Sequence, residues 1–360
     1  MTSNEILEAL KNVIDPDLKK DIVTLGMVKD LFVEGNQIKF KLELTTPACP
    51  LKDILKNACI NAIKEYVNKD AIVDIEVTSR VRTSIQKENS TLKDVKHIIA
   101  VASGKGGVGK STVSANLALA LQQLGAKTGL LDADIYGPSQ AIMFGVENEM
   151  PGPAEFEGQK KMAPVIAYGI KINSIGFMAK EDQPVALRGP MVSKALQQLF
   201  YDTVWGELDY LIVDLPPGTG DIQITLCSQI PLSGAIIVCT PQKVAIADAK
   251  KAIGLFQLPQ INVPIIGLVE NMAWFSPAEL PENKYYIFGK EGVKNLAEQL
   301  QLPLLAQIPI IQSIREDADK GIPSVIKDNQ ISEYYLKMAQ SVAQRLSILH
   351  QEKISEKQNV

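Results

Sequence analysis

Cysteine and histidine are scarce in this chain. Across 360 residues there are four cysteines, Cys49, Cys59, Cys227 and Cys239, and two histidines, His97 and His350. No two cysteines stand as C-x-x-C, so the usual spacing for zinc or for an iron–sulfur cluster is missing. Four thiols in a chain this long do not make a disulfide scaffold, and two histidines argue against a histidine metal centre or a Ser-His-Asp triad. An excess of positive charge is missing too. Net charge is −4 and the isoelectric point ≈ 5.5, which removes the bulk electrostatic case for nucleic acid or a membrane surface. No apolar run approaches a membrane span. The opening "MTSNEILEALKNVIDPD" lacks the basic-then-apolar order of a signal peptide, so a cytoplasmic location is expected. The chemistry is left to lysines, carboxylates, backbone amides and thiolates.

What is present is a composition, 46% hydrophobic and 22% charged, able to bury a full core. Residues 1–82 read as a small α+β domain. An amphipathic helix (Ser3–Val13) precedes two alternating apolar runs split by Glu34-Gly35-Asn36, a hairpin signal. A helical stretch, "PLKDILKNACINAIKEYV", and a strand, "AIVDIEVTSRV", follow. Residues 83–95 read as a polar linker. From residue 96 to 352 short β-branched runs alternate with amphipathic helices, as in "HIIAVAS", "KTGLLDAD", "DYLIVDLP", "GAIIVCTP", "PIIGLVENM" and "LPLLAQIP". Such runs suit strands of a covered parallel sheet, so a doubly wound α/β fold is expected, with ligands at the carboxyl ends of the strands. "MAPVIAYGIKINSIGF" fits an extra hairpin on one sheet edge, and residues 353–360 a polar tail.

The stretch "ASGKGGVGKST" holds the phosphate-loop pattern G-x-x-x-x-G-K-[ST], between a strand and a helix. Gly104, Gly106, Gly107, Val108 and Gly109 supply a backbone that folds around phosphate, with the helix N-terminus behind it. Lys110 is expected on the β- and γ-phosphates, Ser111 on Mg²⁺, and Thr112 on a further phosphate oxygen. Lys105 is a second lysine for which the pattern has no use. Asp214 ends an apolar strand, the usual place for a magnesium-linked carboxylate. Asp132 and Asp134 end another. One could hold the metal's water shell and the other orient the attacking water, although Asp132 also reads as a cap of the following helix. The loop Pro216–Asp221, "PPGTGD", suits a segment that responds to the γ-phosphate. No N-K-x-D guanine signature is present. Asn271, at a late strand end, and Pro309 are candidates to meet an adenine, so ATP is favoured over GTP, while Asn271 also reads as an ordinary strand-end turn residue.

These motifs carry a resemblance. "GKGGVGKST" resembles the deviant Walker A loop of the MinD/ParA/ArsA group of dimeric ATPases. With "LDADIYGPS", "LIVDLPPGTGD", "LSGAIIVCTPQ" and "VENM…YYIFG", the chain is similar to the Mrp (ApbC) branch over residues 95–350, while "DPDLKKDIVTLGMV" and "TTPACP" resemble the small iron–sulfur assembly domain often fused in front of it. The resemblance implies a homodimeric, Mg²⁺-dependent ATPase that carries iron–sulfur clusters to apo-protein clients or assembly factors. It implies that Lys105 crosses the dimer interface to the partner's nucleotide. It also implies a cluster ligand pair, C-x-x-C, between "NM" and "IFG". Here that interval, Asn271–Gly289, holds no cysteine. Cys59, Cys227 and Cys239 read as core residues. Cys49 stands where a helix begins, where the dipole lowers a thiol pKa, and matches the functional cysteine of the small domain, which makes it the candidate cluster or thiol site. Two other functions stand beside the carrier: a MinD- or ParA-like positioning switch on membrane or DNA, for which the amphipathic C-terminal segment is the one supporting feature, and a cluster-independent scaffold recruiting partners through residues 1–82. Neither nucleic acid binding nor stable membrane association is expected.

Overall fold

The computed structural model describes residues 1–81, 90–177, 189–277, 279–327 and 330–358. It divides into two compact units, Met1–Arg82 with Ala343–Val360, and Thr83–Val342.

In the smaller unit the first helix runs Ser3–Leu10, shorter than the apolar spacing suggested. It starts at a capping box, with Thr2 Oγ1 accepting from Glu5 N (3.3 Å) and Glu5 Oε2 accepting from Thr2 N (2.8 Å). Strands Val28–Glu34 and Gln37–Leu44 pair antiparallel across a turn in which Gly35 takes φ +57°. Strand Ile72–Ser79 then adds in parallel. Period-two alternation sends Ile38, Phe40, Leu42 and Leu44 inward, where they share a core with Leu55, Cys59 and Ile63 of helix Lys52–Tyr66. Residues 343–352, grouped with the second domain by sequence, cluster with this unit, and Gln344 Nε2 donates to Asp17 Oδ1 (2.6 Å).

The larger unit is built on an eight-stranded sheet. Its strands, numbered in chain order within this sheet, are β1 (Val95–Ala102), β2 (Thr128–Asp132), β3 (Val165–Ala167), β4 (Ile170–Ser174), β5 (Leu208–Asp214), β6 (Gly234–Cys239), β7 (Ile265–Phe275) and β8 (Leu304–Ile310). They lie in the order β3-β4-β2-β5-β1-β6-β7-β8 and all pair in parallel except the β3–β4 hairpin, which forms the edge that the sequence suggested. The inner strands β2, β5 and β6 are buried at every position, as a sheet covered on both faces requires. A second hairpin, Gly152–Phe156 with Gln159–Ala163, had no clear sequence signal.

Residues 83–89 of the expected linker lie outside the described residues, as do 359 and 360 of the expected tail. The described remainder of both is ordered. Leu92 is fully buried in the core, Thr91 Oγ1 donates to Tyr201 O (2.9 Å), and residues 353–358 continue the helix Gln330–Gln358. The apolar stripe of that helix, including Tyr335, Met338, Val342 and Leu346, is buried. Among the described residues, no helix is long and apolar enough to cross a membrane.

Candidate nucleotide site

Strand register brings the expected chemistry to one edge. Ser174 pairs with Asp132, Asp132 with Asp214, and Asp214 with Val101, three residues before the first glycine of the loop, Gly104. Three adjacent parallel strands thus deliver Asp132, Asp214 and the loop to the carboxyl end of the sheet.

The loop runs from the end of β1 into the helix Lys110–Gln123. Gly104 is fixed by close approach, since a Cβ there would fall 2.2 Å from the Asp248 carbonyl. Gly109 takes φ +81°, and a Cβ on it would meet Asn271 Nδ2 at 2.1 Å. Gly107 takes φ +77°. Gly106 and Gly107 are exposed, Val108 is buried, and Ser111 and Thr112 are half-buried at the first turn of the helix.

Lys110 is 6% exposed, and its Nζ donates to Asp214 Oδ1 at 2.6 Å, with Asp134 Oδ2 at 3.8 Å and Ser111 Oγ at 3.3 Å. Two residues missed by sequence reasoning complete the grip on Asp214. Ser114 Oγ donates to Oδ1 (2.9 Å) and Gln140 Nε2 to Oδ2 (2.9 Å). Ser114 follows Lys110 by four residues, so helix periodicity alone places both on one face. Gln140 carries no comparable signal.

Asp132 is fully buried and already filled by protein donors. Its Oδ1 accepts from Asp134 N (3.1 Å), and its Oδ2 from Ser139 N (3.0 Å), Gln140 N (3.1 Å) and Ser174 Oγ (3.0 Å). Burial first, and then the Asp214 charge, outweigh those donors and Lys110, pushing its pKa up to about 7. Burial likewise raises Asp134, opposed by Lys110.

Lys105 is half-buried, with Nζ 3.4 Å from Gln242 Oε1 of the same chain, at the start of helix Lys243–Phe256. Asn271 lies within β7, which runs on to Phe275, rather than at a strand end. Its Nδ2 donates to Val108 O (2.8 Å), so the amide braces the glycine loop. Pro309 is buried in β8. Beside Asn271, Glu270 is fully buried and accepts from Val293 N (2.6 Å), Lys294 N (3.2 Å) and Gln307 Nε2 (2.8 Å), tying β7 to the helix Gly292–Leu300.

A family model described as the NUBPL iron-transfer P-loop NTPase matches residues 94–345. The chain belongs to this family. A second model, described as iron-sulfur cluster assembly protein, matches residues 3–77 ahead of the NUBPL-type P-loop NTPase region. The chain is 43% identical over 329 residues to the iron-sulfur cluster carrier protein of Synechocystis sp., covering 91% of this chain and 92% of that one. It is 41% identical over 340 residues to the protein of that name from Escherichia coli, covering 94% and 90%. Among solved structures it is similar to a nucleotide-binding protein from Archaeoglobus fulgidus in complex with ADP, with a TM-score of 0.58 and 34% identity over 68% of this chain and 94% of that one. The Pyrococcus furiosus cell division ATPase MinD, at 23% identity and a TM-score of 0.50, shares the fold, covering 68% of this chain and 98% of that one.

The cysteines of this NUBPL-family chain fall into two groups. Cys59, Cys227 and Cys239 are buried, with burial pushing each thiol up to about 12. Cys49 is half-buried, and its surroundings correct the expectation of an activated thiolate. The helix begins only at Lys52, burial raises the thiol, the Asp15 and Asp17 charges add to the rise, and only the Leu51 N–H opposes it. Among the described residues no cluster of three His, Cys, Asp or Glu side chains is arranged to hold a metal ion.

Proposed function

We propose that this chain is an ATP-binding and ATP-hydrolysing carrier or scaffold that assists iron–sulfur cluster assembly or transfer, working as a homodimer in the cytoplasm. The observation that carries the reading is the constellation of Lys110, Ser111, Asp134 and Asp214 around the glycine loop, in a chain matching iron–sulfur carrier proteins over nine-tenths of its length.

The donor set suits Mg²⁺. The groups are hard oxygens of Ser111, Asp134 and Asp214, and on the segment whose Gln140 amide reaches Asp214 two side-chain atoms, Ser139 Oγ and Gln140 Oε1, are buried without a partner. When bound, Mg²⁺ would neutralise charge on the β- and γ-phosphate oxygens. Ser111 and Asp214 would hold it. Asp132, whose oxygens are filled by protein donors, serves as a brace that fixes residues 134–140. The loop amides and Lys110 bind the phosphates, so ATP competes with Asp214 for the Lys110 ammonium. Ser114 and Gln140 keep the Asp214 carboxylate in place as that ammonium turns. Asp134 orients the attacking water. Lys105, released from Gln242, reaches the nucleotide of a second subunit and adds positive charge to the transition state.

The cluster is cargo. With three thiols buried and none in Asn271–Gly289, Cys49 of the small unit is the thiol left to meet it, or to meet a partner that holds it. Partners are assembly factors or apo-proteins. The buried stripe of helix Gln330–Gln358 favours this reading over a membrane-positioning switch.

Steady-state ATP hydrolysis by wild type, Lys110→Ala and Lys105→Ala tests the first half. Loss of turnover is expected in both variants, with ATP binding largely spared in Lys105→Ala, and unchanged turnover in Lys110→Ala would sink the nucleotide assignment. Anaerobic reconstitution followed by iron and sulfide analysis tests the second. Retention by wild type and loss in Cys49→Ala supports the carrier, and no retention by either protein overturns it.

A further inference from the structure

We propose that Ser139 and Gln140 form the outer wall of the divalent-cation site, accepting hydrogen bonds from water in the ion's hydration shell. The inference rests on the nucleotide reading above and adds to it the form in which the ion is held.

Gln140 is fully buried, and its amide bridges the two residues expected to bind the ion. Nε2 donates both to Asp214 Oδ2 (2.9 Å) and to Ser111 O (3.1 Å). Both neighbours are pure acceptors, which fixes the amide orientation: nitrogen faces them, and the oxygen is the end of the amide left for a donor. That oxygen meets no donor, although it is buried. The Ser139 hydroxyl oxygen is in the same condition, so two of the five such atoms among the described residues belong to consecutive residues of one pinned segment. Buried polar atoms are normally satisfied, and a pair of unsatisfied ones implies a donor that the protein does not itself supply.

The backbone explains why these side chains do not turn away. Both N–H groups, Ser139 and Gln140, are held by Asp132 Oδ2. Asp132 in turn is fixed by Ser174 Oγ and by its parallel pairing with Asp214. The segment is therefore pinned against the strand end that carries Asp214, and its two acceptors come with it. A neutral amide oxygen and a hydroxyl oxygen can each accept a hydrogen bond from a water polarised by a cation. Mg²⁺ keeps several of its waters and matches such neutral acceptors, whereas Ca²⁺ takes more direct protein oxygens. Gln140 is thus a positioning residue with two tasks on one amide, the nitrogen steadying Asp214 and the oxygen steadying the ion's water.

The test is an Mg²⁺ titration of the full-length protein with a fluorescent, non-hydrolysable ATP analogue, read as the Mg²⁺ midpoint for binding. Gln140→Met removes both amide functions at similar length, and Ser139→Ala deletes one oxygen. The midpoint is expected to rise about tenfold in Gln140→Met, the low end of what outer-shell changes cost a metal site, and by a smaller factor, about threefold, in Ser139→Ala. In Ser139→Ala, binding of the analogue without Mg²⁺ is expected to stay within about twofold of wild type, a separation that a general loss of packing would not give. If Gln140→Met does not melt cooperatively, Ser139→Ala decides alone. Unmoved midpoints in the variants, with wild type responding to Mg²⁺, overturn this inference and leave the nucleotide reading standing. A wild type that does not bind the analogue overturns both.

Discussion

Lys110 and Asp214 form a buried ion pair, Nζ to Oδ1 at 2.6 Å, at the junction of glycine loop and sheet. The lysine that should bind phosphate is thereby also the counter-ion of the carboxylate that should support Mg²⁺, and Asp132 is paired directly beside Asp214 in the strand register. Removing the ammonium leaves one full carboxylate charge buried and unpaired. Lys110→Ala is therefore expected to cost about 3–5 kcal/mol of stability in addition to activity. The double variant Lys110→Ala/Asp214→Asn is expected to recover at least half of that loss in urea unfolding, and no recovery would mean that the pair is not the source of the cost.

Asn271 offers a sharper choice between two roles. A base-reading amide would distinguish ATP from GTP, whereas an amide spent on Val108 O holds the loop for any nucleotide. Asn271→Ala loses one buried hydrogen bond, worth about 1 kcal/mol, and leaves the Val108 carbonyl without that donor. ATP and GTP affinities are expected to fall together, each by about tenfold. A selective loss of ATP over GTP would return the residue to base recognition.

Asp132 sets a pH dependence. Its pKa in the fold is about 7 against an ordinary 3.8, so the folded chain holds a proton that the unfolded chain gives up. The stability tied to that proton is fully present below pH 3.8 and is lost as pH rises through 7. Between pH 5.5 and 8 this group should remove about 2 kcal/mol, read by urea unfolding of the nucleotide-free protein. Asp132→Asn places an amide against backbone N–H donors and will be less stable throughout, so the slope is the readout. A wild-type slope that survives in Asp132→Asn would assign the titration elsewhere.

The course of the main chain was open to sequence reasoning because its signals are local. Continuous apolar runs give β1, β2, β5, β6, β7 and β8, an alternating segment gives the β3–β4 hairpin, glycine spacing gives the loop, and Asp214 reads as a strand end. What sequence did not show depends on contacts between distant segments. Gln140 reaches Asp214 across 74 positions and Asn271 reaches Val108 across 163, and no local pattern announces either. Glu270 stood in view beside Asn271, yet its role appears only when the helix Gly292–Leu300 presents two backbone N–H groups to it. Cys49 was misjudged for a related reason. Its place just before a helix suggested a dipole effect, but the fold puts three further determinants around it: a partly closed core, Asp15 and Asp17.

That environment makes the Cys49 prediction direct. It is the one cysteine of the four that is not buried, so native protein treated with iodoacetamide should be alkylated at Cys49 before any other. With the thiol raised above its ordinary 9.0 by burial and by two neighbouring carboxylates, the reactive thiolate is a small fraction at neutral pH. Alkylation at pH 7.5 is expected to run slower than that of a free cysteine and to go on accelerating as pH rises to 9. Asp17→Asn removes one of the raising charges and should speed the reaction modestly without changing which cysteine is modified. A rate that is fast at pH 7 and flat above it would mean a thiolate already formed, as the helix-terminus reading supposed, and would favour direct capture of iron by Cys49 over a thiol that ionises only when a metal or partner displaces its proton.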